Sequence, residues 1–109
     1  MPFLTIVFIG MRSLTIESYV IDVLLPDLVG HDRRPAAFLV YLYLLRHART
    51  KNGRREVRAS LQTIATRTGL SKSTVQNALR HLRRRALLDP NVIATTSNPT
   101  RSLLDPRAR

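Results

Sequence analysis

The chain has 109 residues, 44% of them hydrophobic, no cysteine, and a formal net charge of +11. That length suits one domain with a real core, and the apolar content excludes wholesale disorder. The lack of cysteine excludes disulfides, thiolate zinc sites and thiol nucleophiles. The charge is unevenly spread: residues 1–45 hold Arg12, Arg33 and Arg34 against Glu17, Asp22, Asp27 and Asp32, whereas residues 46–109 hold 15 basic against three acidic side chains. Such a cationic part meets the electrostatic requirement for holding phosphates by counterion release. A solvated basic surface without a partner is the plainer alternative.

Residues 1–11, MPFLTIVFIGM, are apolar but lack a basic start. Their run is far short of the roughly 18 residues of a membrane span. They read as an edge strand, a partner-binding arm or an upstream extension that packs poorly, with no signal peptide and no membrane partner. Residues 13–30 place Ile16, Val20, Val23, Leu24 and Leu28 at near-helical spacing, but Pro26 and Gly30 should interrupt any long helix. Residues 1–30 are therefore expected to be an N-terminal extension, available for a partner or for pairing two copies, ahead of a domain over residues 31–105. Residues 106–109 are a tail expected to fray.

Pro35 suits a first helical position, because its fixed φ matches the helix and its missing N–H would be unpaired anyway. The apolar stretch that follows reads as a buried central helix, stopped at Asn52-Gly53. Residues 56–59 alternate like a short strand. Ser60 then offers a cap to a helix with Leu61, Ile64 and Ala65 on its apolar face, ending at Gly69. Ser71 caps the next helix, where Val75, Ala78, Leu79 and Leu82 form one stripe and Lys72, Ser73, Gln76, Asn77, Arg80 and Arg83 the other face. Beyond the arginine run, Asp89-Pro90 and Asn98-Pro99 flank a Thr- and Ile-rich segment that reads as a hairpin.

Signs of catalysis are missing from this pattern. The carboxylates do not pair on an identifiable helix face, and no glycine-rich phosphate loop occurs. His31 and His47 carry no ligand spacing, and His81 reads as an ordinary exposed histidine that could at most approach a phosphate. No enzymatic activity, cofactor or metal is expected.

The stretch SLQTIATRTGLSKSTVQNALRHLRRRALL resembles the bacterial winged helix-turn-helix regulators, the group holding MarR-like and GntR-like transcription factors and related plasmid replication initiators. Ala65 at the helix–helix approach, Gly69 in the turn, Leu70 and Val75 in the angle, and Leu79, Leu82 and Leu88 in the core carry the likeness over about residues 34–105. Ala86 departs from it, since many relatives have glycine before the wing, and the turn is expected to use ordinary backbone angles here. The resemblance implies a mainly α fold with a small β-wing: a three-helix core, a short strand between the first two helices, and a C-terminal β-hairpin.

It also implies roles on double-stranded DNA. Ser73, Thr74 and Asn77 would face base edges, and Lys72 and Arg80 a guanine or a phosphate. Thr63, Thr66, Arg67, Ser71, Gln76, Arg83 and Arg84 would hold the backbone. Arg101 and the hairpin over residues 95–100 would be a wing reaching the minor groove or flanking backbone. The plain rivals are that Thr63 and Thr66 only cap their helix, and that Arg83, Arg84 and Arg85 are a solvated shoulder. A cytoplasmic, nucleoid-associated DNA-binding regulator is thus expected. The alternatives are a replication-initiator domain or an adaptor whose winged helix binds protein, with residues 1–11 as a docking arm. RNA binding is weaker, because no aromatic residue sits among the basic positions.

Overall fold

The structure, a computed structural model, describes residues 13–92 and 98–105. Its first helix, α1, consists of two successive π-helical runs, Val20–Leu24 and Pro26–His31, joined through a helical Leu25. The N–H of Leu25 donates to the Val20 carbonyl and that of Asp32 to the Asp27 carbonyl, the i→i−5 pattern of a π-helix. Pro26 and Gly30 therefore do not end the helix as expected. Pro26 lies inside this continuous helix and removes one backbone donor from it, yet the π-helical winding runs on past it. Val20, Leu24 and Leu28 are buried in the same core as the later helices, so this part of the expected extension is a packed layer of the fold. The apolar residues 1–11 lie outside the described residues.

After a turn in which Arg33 takes a positive φ of 56°, α2 runs from Pro35 to His47 with its proline in the first turn, as the sequence predicts. It buries Ala37, Phe38, Val40, Tyr41, Leu44 and Leu45 and packs against α1 and both later helices. The chain then forms a hairpin that the sequence reading missed. Strand β1, Arg49–Lys51, pairs antiparallel with β2, Arg54–Arg58, across Asn52-Gly53. Asn52 and Gly53 have φ of 53° and 76°, both positive, as a two-residue type I′ turn requires. Strand β3, Thr100–Leu103, pairs with the other side of β2, with Val57 opposite Arg101, and completes the order β1-β2-β3.

Helix α3, Leu61–Thr68, begins at Ser60, whose Oγ accepts from the Thr63 N–H, and ends at Gly69 with φ of 79°. Helix α4, Lys72–Arg84, begins at Ser71, whose Oγ accepts from the Thr74 N–H. Each cap satisfies an N–H that the first helical turn would otherwise leave unpaired. Val75, Ala78, Leu79 and Leu82 are buried against α2 and α3, and full burial of each large side chain contributes about 1.5–3 kcal/mol. The end of α4 closes with the Ala86 N–H donating to Arg83 and the Leu87 N–H to Leu82, a Schellman arrangement whose C′ residue is left-handed. Ala86 accordingly has φ of 59°. The expectation of ordinary angles there is corrected: the closing hydrogen bonds demand the conformation whatever residue supplies it.

The expected wing hairpin is present as β3 and a single bridge from Leu88 to Leu103, with residues 93–97 outside the described residues. An ion pair of 2.7 Å from Arg54 to Asp89 ties β2 to the start of the wing. The fold is mainly helical with a small three-stranded antiparallel sheet, the architecture of a winged helix-turn-helix. Among the described residues no helix is long and apolar enough to cross a membrane.

Candidate nucleic-acid interface

The buried stripe of α4 fixes its rotation, and with it the opposite face. Lys72, Ser73, Gln76, Asn77, Arg80 and Arg84 are exposed there, while Thr74 and Arg83 are half-buried. At the N-terminus the Ser71 hydroxyl donates to Thr74 Oγ1 at 2.8 Å and lies 3.2 Å from the Ser73 hydroxyl. The Ser71 cap takes up the Thr74 N–H, and the N–H groups left over from the first turn converge with the positive end of the helix dipole, where an anion is favoured. One turn on, Arg80 donates to Asn77 Oδ1 at 2.8 Å. The pair is pre-ordered on the exposed face, and Asn77 keeps a second lone pair on Oδ1 and its Nδ2 donors, the groups a bidentate contact to adenine uses.

On α3, Thr63, Thr66 and Arg67 are all exposed. The threonines also have local partners: Ser60 Oγ donates to Thr63 Oγ1 at 3.0 Å and Gln62 Nε2 to Thr66 Oγ1 at 3.0 Å. Their hydroxyls keep a second lone pair and can still serve a phosphate.

Three basic side chains depart from the sequence reading. Arg101 is 6% exposed. In register with the buried Val57, it points to the core side of the sheet, since directly opposite strand residues share a face. It is not a finger extended into a minor groove. Burial, and then the nearby Arg83 charge, push its pKa below the usual arginine range, and among the described residues its Nε has no hydrogen-bond partner. His81, expected to be exposed, is largely buried and donates from Nε2 to Asp32 Oδ2 at 2.7 Å. Arg85 leaves the expected solvated shoulder to pair with Asp27. Its Nε also lies 3.0 Å from Asp32, too poorly aligned for a hydrogen bond and so a contact of charges.

Asp32 is the hub of this cluster, taking a further hydrogen bond from His31 at 2.9 Å. Burial alone would raise its carboxyl pKa, but the hydrogen bonds and charges of His31 and His81 outweigh that and hold it below the ordinary value. The cluster joins α1 to the last turn of α4 and so anchors the candidate reading helix from behind. Sequence reasoning missed it because Asp32 and His81 lie 49 positions apart.

A second feature missed from the sequence is cationic. The β1–β2 hairpin and the end of α2 expose Arg46, Arg49, Lys51, Arg54, Arg55 and Arg58. Asn-Gly between polar runs was the available signal, since that dipeptide favours the type I′ hairpin.

Two helices meeting through Gly69, with a capped, polar-faced second helix and a strand-based wing, define a helix-turn-helix, a class of fold built for DNA binding. The sequence bears this out: the profile of a family described as a helix-turn-helix domain matches residues 34–88, half of the chain. The chain belongs to that family. No curated protein and no solved structure matches it.

Proposed function

We propose that this protein is a sequence-specific regulator of transcription, similar to the MarR-like and GntR-like winged-helix factors, that inserts the N-terminal half of α4 into the major groove of double-stranded DNA. The observation that carries the reading is the split of α4 into a buried apolar stripe and an exposed face of Lys72, Ser73, Gln76, Asn77 and Arg80. Asn77 and Arg80 carry the base discrimination, with Ser73 and the half-buried Thr74 beside them and Lys72 on a guanine or a phosphate. Ser71, Gln76, Thr63, Thr66 and Arg67 set register on the backbone, and Arg83 and Arg84 supply charge at the far end of the helix.

The test is selection of bound sequences from a random duplex pool, followed by fluorescence titration of the enriched site. A coherent motif is expected, with Asn77→Ala and Arg80→Ala each weakening the selected site by about 1–3 kcal/mol and relaxing discrimination at a defined position. Unchanged binding by both variants at near-physiological salt would overturn the reading.

A further inference from the structure

Between the C-terminal end of α2 and the outer face of the β1–β2 hairpin lies a groove of about 1,080 Å³. Arg46, Arg49, Lys51, Arg54 and Arg58 line it, against Glu56 as the one carboxylate in its wall. Among the described residues only Arg54 of these five cations is held in an ion pair, with Asp89. The other four are exposed and in no ion pair, although Glu56 stands opposite Arg49 in the strand register.

The arrangement costs stability. Lys51 stands directly opposite Arg54 in the strand register, and like charges across a strand pair are destabilising. The field also reaches the Tyr43–His47 ring pair in the groove wall. His47, in ring contact with Tyr43 at 4.6 Å, is held below the ordinary histidine pKa first by burial and then by the charges of Arg46 and Arg67. A tight turn and pairing of β2 on both edges fix the platform, so the cations are presented in a set geometry.

Two landmarks join this groove to the interface already described. Arg67, whose charge His47 feels, lies on α3. Thr100, which lines the groove, opens β3 at the base of the wing. A duplex seated on α4 and crossed by α3 would therefore meet the groove as it continues outward.

We propose that the groove binds the phosphodiester backbone of the same duplex, flanking the segment read by α4, so that the β1–β2 hairpin acts as a second, sequence-independent clamp. This inference rests on the DNA-binding reading above. An acidic protein segment is the competing occupant, but continuity with α3 and the wing favours the flanking DNA.

The experiment compares wild type with the triple variant Arg46→Ala/Arg49→Ala/Lys51→Ala on two duplexes. One ends at the selected site and the other extends it by about one helical turn, ~10 base pairs. Affinity is measured against salt. On the long duplex the variant should show a log–log salt slope shallower by about 2–3, since each released phosphate contact contributes about 0.9, with sequence discrimination unchanged. On the short duplex the two proteins should differ little. All three positions are exposed, and a thermal midpoint no lower than that of wild type checks that the variant is folded.

Equal slopes on the long duplex would overturn the clamp and leave the α4 reading standing. Loss of discrimination in Asn77→Ala, with the clamp variant indistinguishable from wild type, has the same meaning. A poly-glutamate peptide that binds wild type but not the variant, with equal DNA slopes, would overturn the clamp in favour of an acidic protein partner. A wild type that binds neither duplex overturns both readings.

Discussion

Replacing Ala86 with glycine should stabilise the protein. Ala86 has φ of 59° at the C′ position of α4, where the Ala86 and Leu87 N–H groups close the helix onto Arg83 and Leu82. A side chain in the left-handed region costs about 1–2 kcal/mol, and glycine removes that cost without disturbing either hydrogen bond. Against it stand the greater freedom of glycine in the unfolded chain, about 0.4–1 kcal/mol, and the loss of a half-buried methyl, worth less than the ~0.8 kcal/mol of a fully buried carbon. The balance is a gain of about 0.5 kcal/mol. For a domain of this size that corresponds to a rise of roughly 2–4 °C in the thermal midpoint. Calorimetry and urea titration should agree on the sign. Ala86→Val is the opposing control, since a β-branched residue is poorly accommodated at positive φ, and it should lower the midpoint. A fall in the midpoint of Ala86→Gly, or no difference between the two variants, would refute the assignment of strain to this position.

Removing the Asp32 charge tests the anchor behind α4. At pH 7 Asp32→Asn should cost about 1.5 kcal/mol, the lower end of what a hydrogen bond to a charged group contributes, as read from urea midpoints. Because the folded carboxyl is held below its ordinary value of 3.8, its contribution is complete above that pH and lost as pH falls through the folded value, so the gap between wild type and variant should close on acidification below 3.8. Arg101→Met should raise the thermal midpoint, since it replaces a buried cation with an unpartnered Nε by an apolar side chain of similar reach; a fall would show that the guanidinium is compensated. Ser71→Ala removes the acceptor of the Thr74 N–H and should lower stability by about 1 kcal/mol by urea titration.

The parts of the fold that were legible in the sequence are those governed by local chemistry. Pro35, Ser60, Gly69 and Ser71 each mark an element boundary through a backbone constraint acting within a few residues, and the stripe of Val75, Ala78, Leu79 and Leu82 needs only the helical period. The hairpin of β1 and β2 escaped because β1 is exposed and polar throughout. The alternation that marked residues 56–59 around the buried Val57 has no counterpart in Arg49–Lys51, and Asn52-Gly53 was absorbed as the stop of α2. Arg101 escaped for a different reason. Its direction depends on the register of β3 against β2, and no residue near it in sequence states that register. Ala86 was misjudged because the left-handed conformation belongs to the closing hydrogen bonds of α4, which glycine would satisfy at lower cost.

The uneven charge of the chain also acquires a structural meaning. The acidic residues of the first third are not merely the less basic end of a cationic protein, because Asp27 and Asp32 reach from the end of α1 to His81 and Arg85 in the last turns of α4. They neutralise that helix on the side that faces the protein, while Lys72, Arg80 and Arg84 remain exposed away from the core. A helix this rich in cations would otherwise be destabilised by its own repulsion and by partial burial of His81 and Arg85. Pairing on one side alone keeps the positive face intact and fixes the C-terminal end of α4 against α1. The geometry of the proposed reading face therefore depends on a segment that lies outside the helix-turn-helix match, and the Asp32 variant should alter how α4 is held without touching any residue proposed to face DNA.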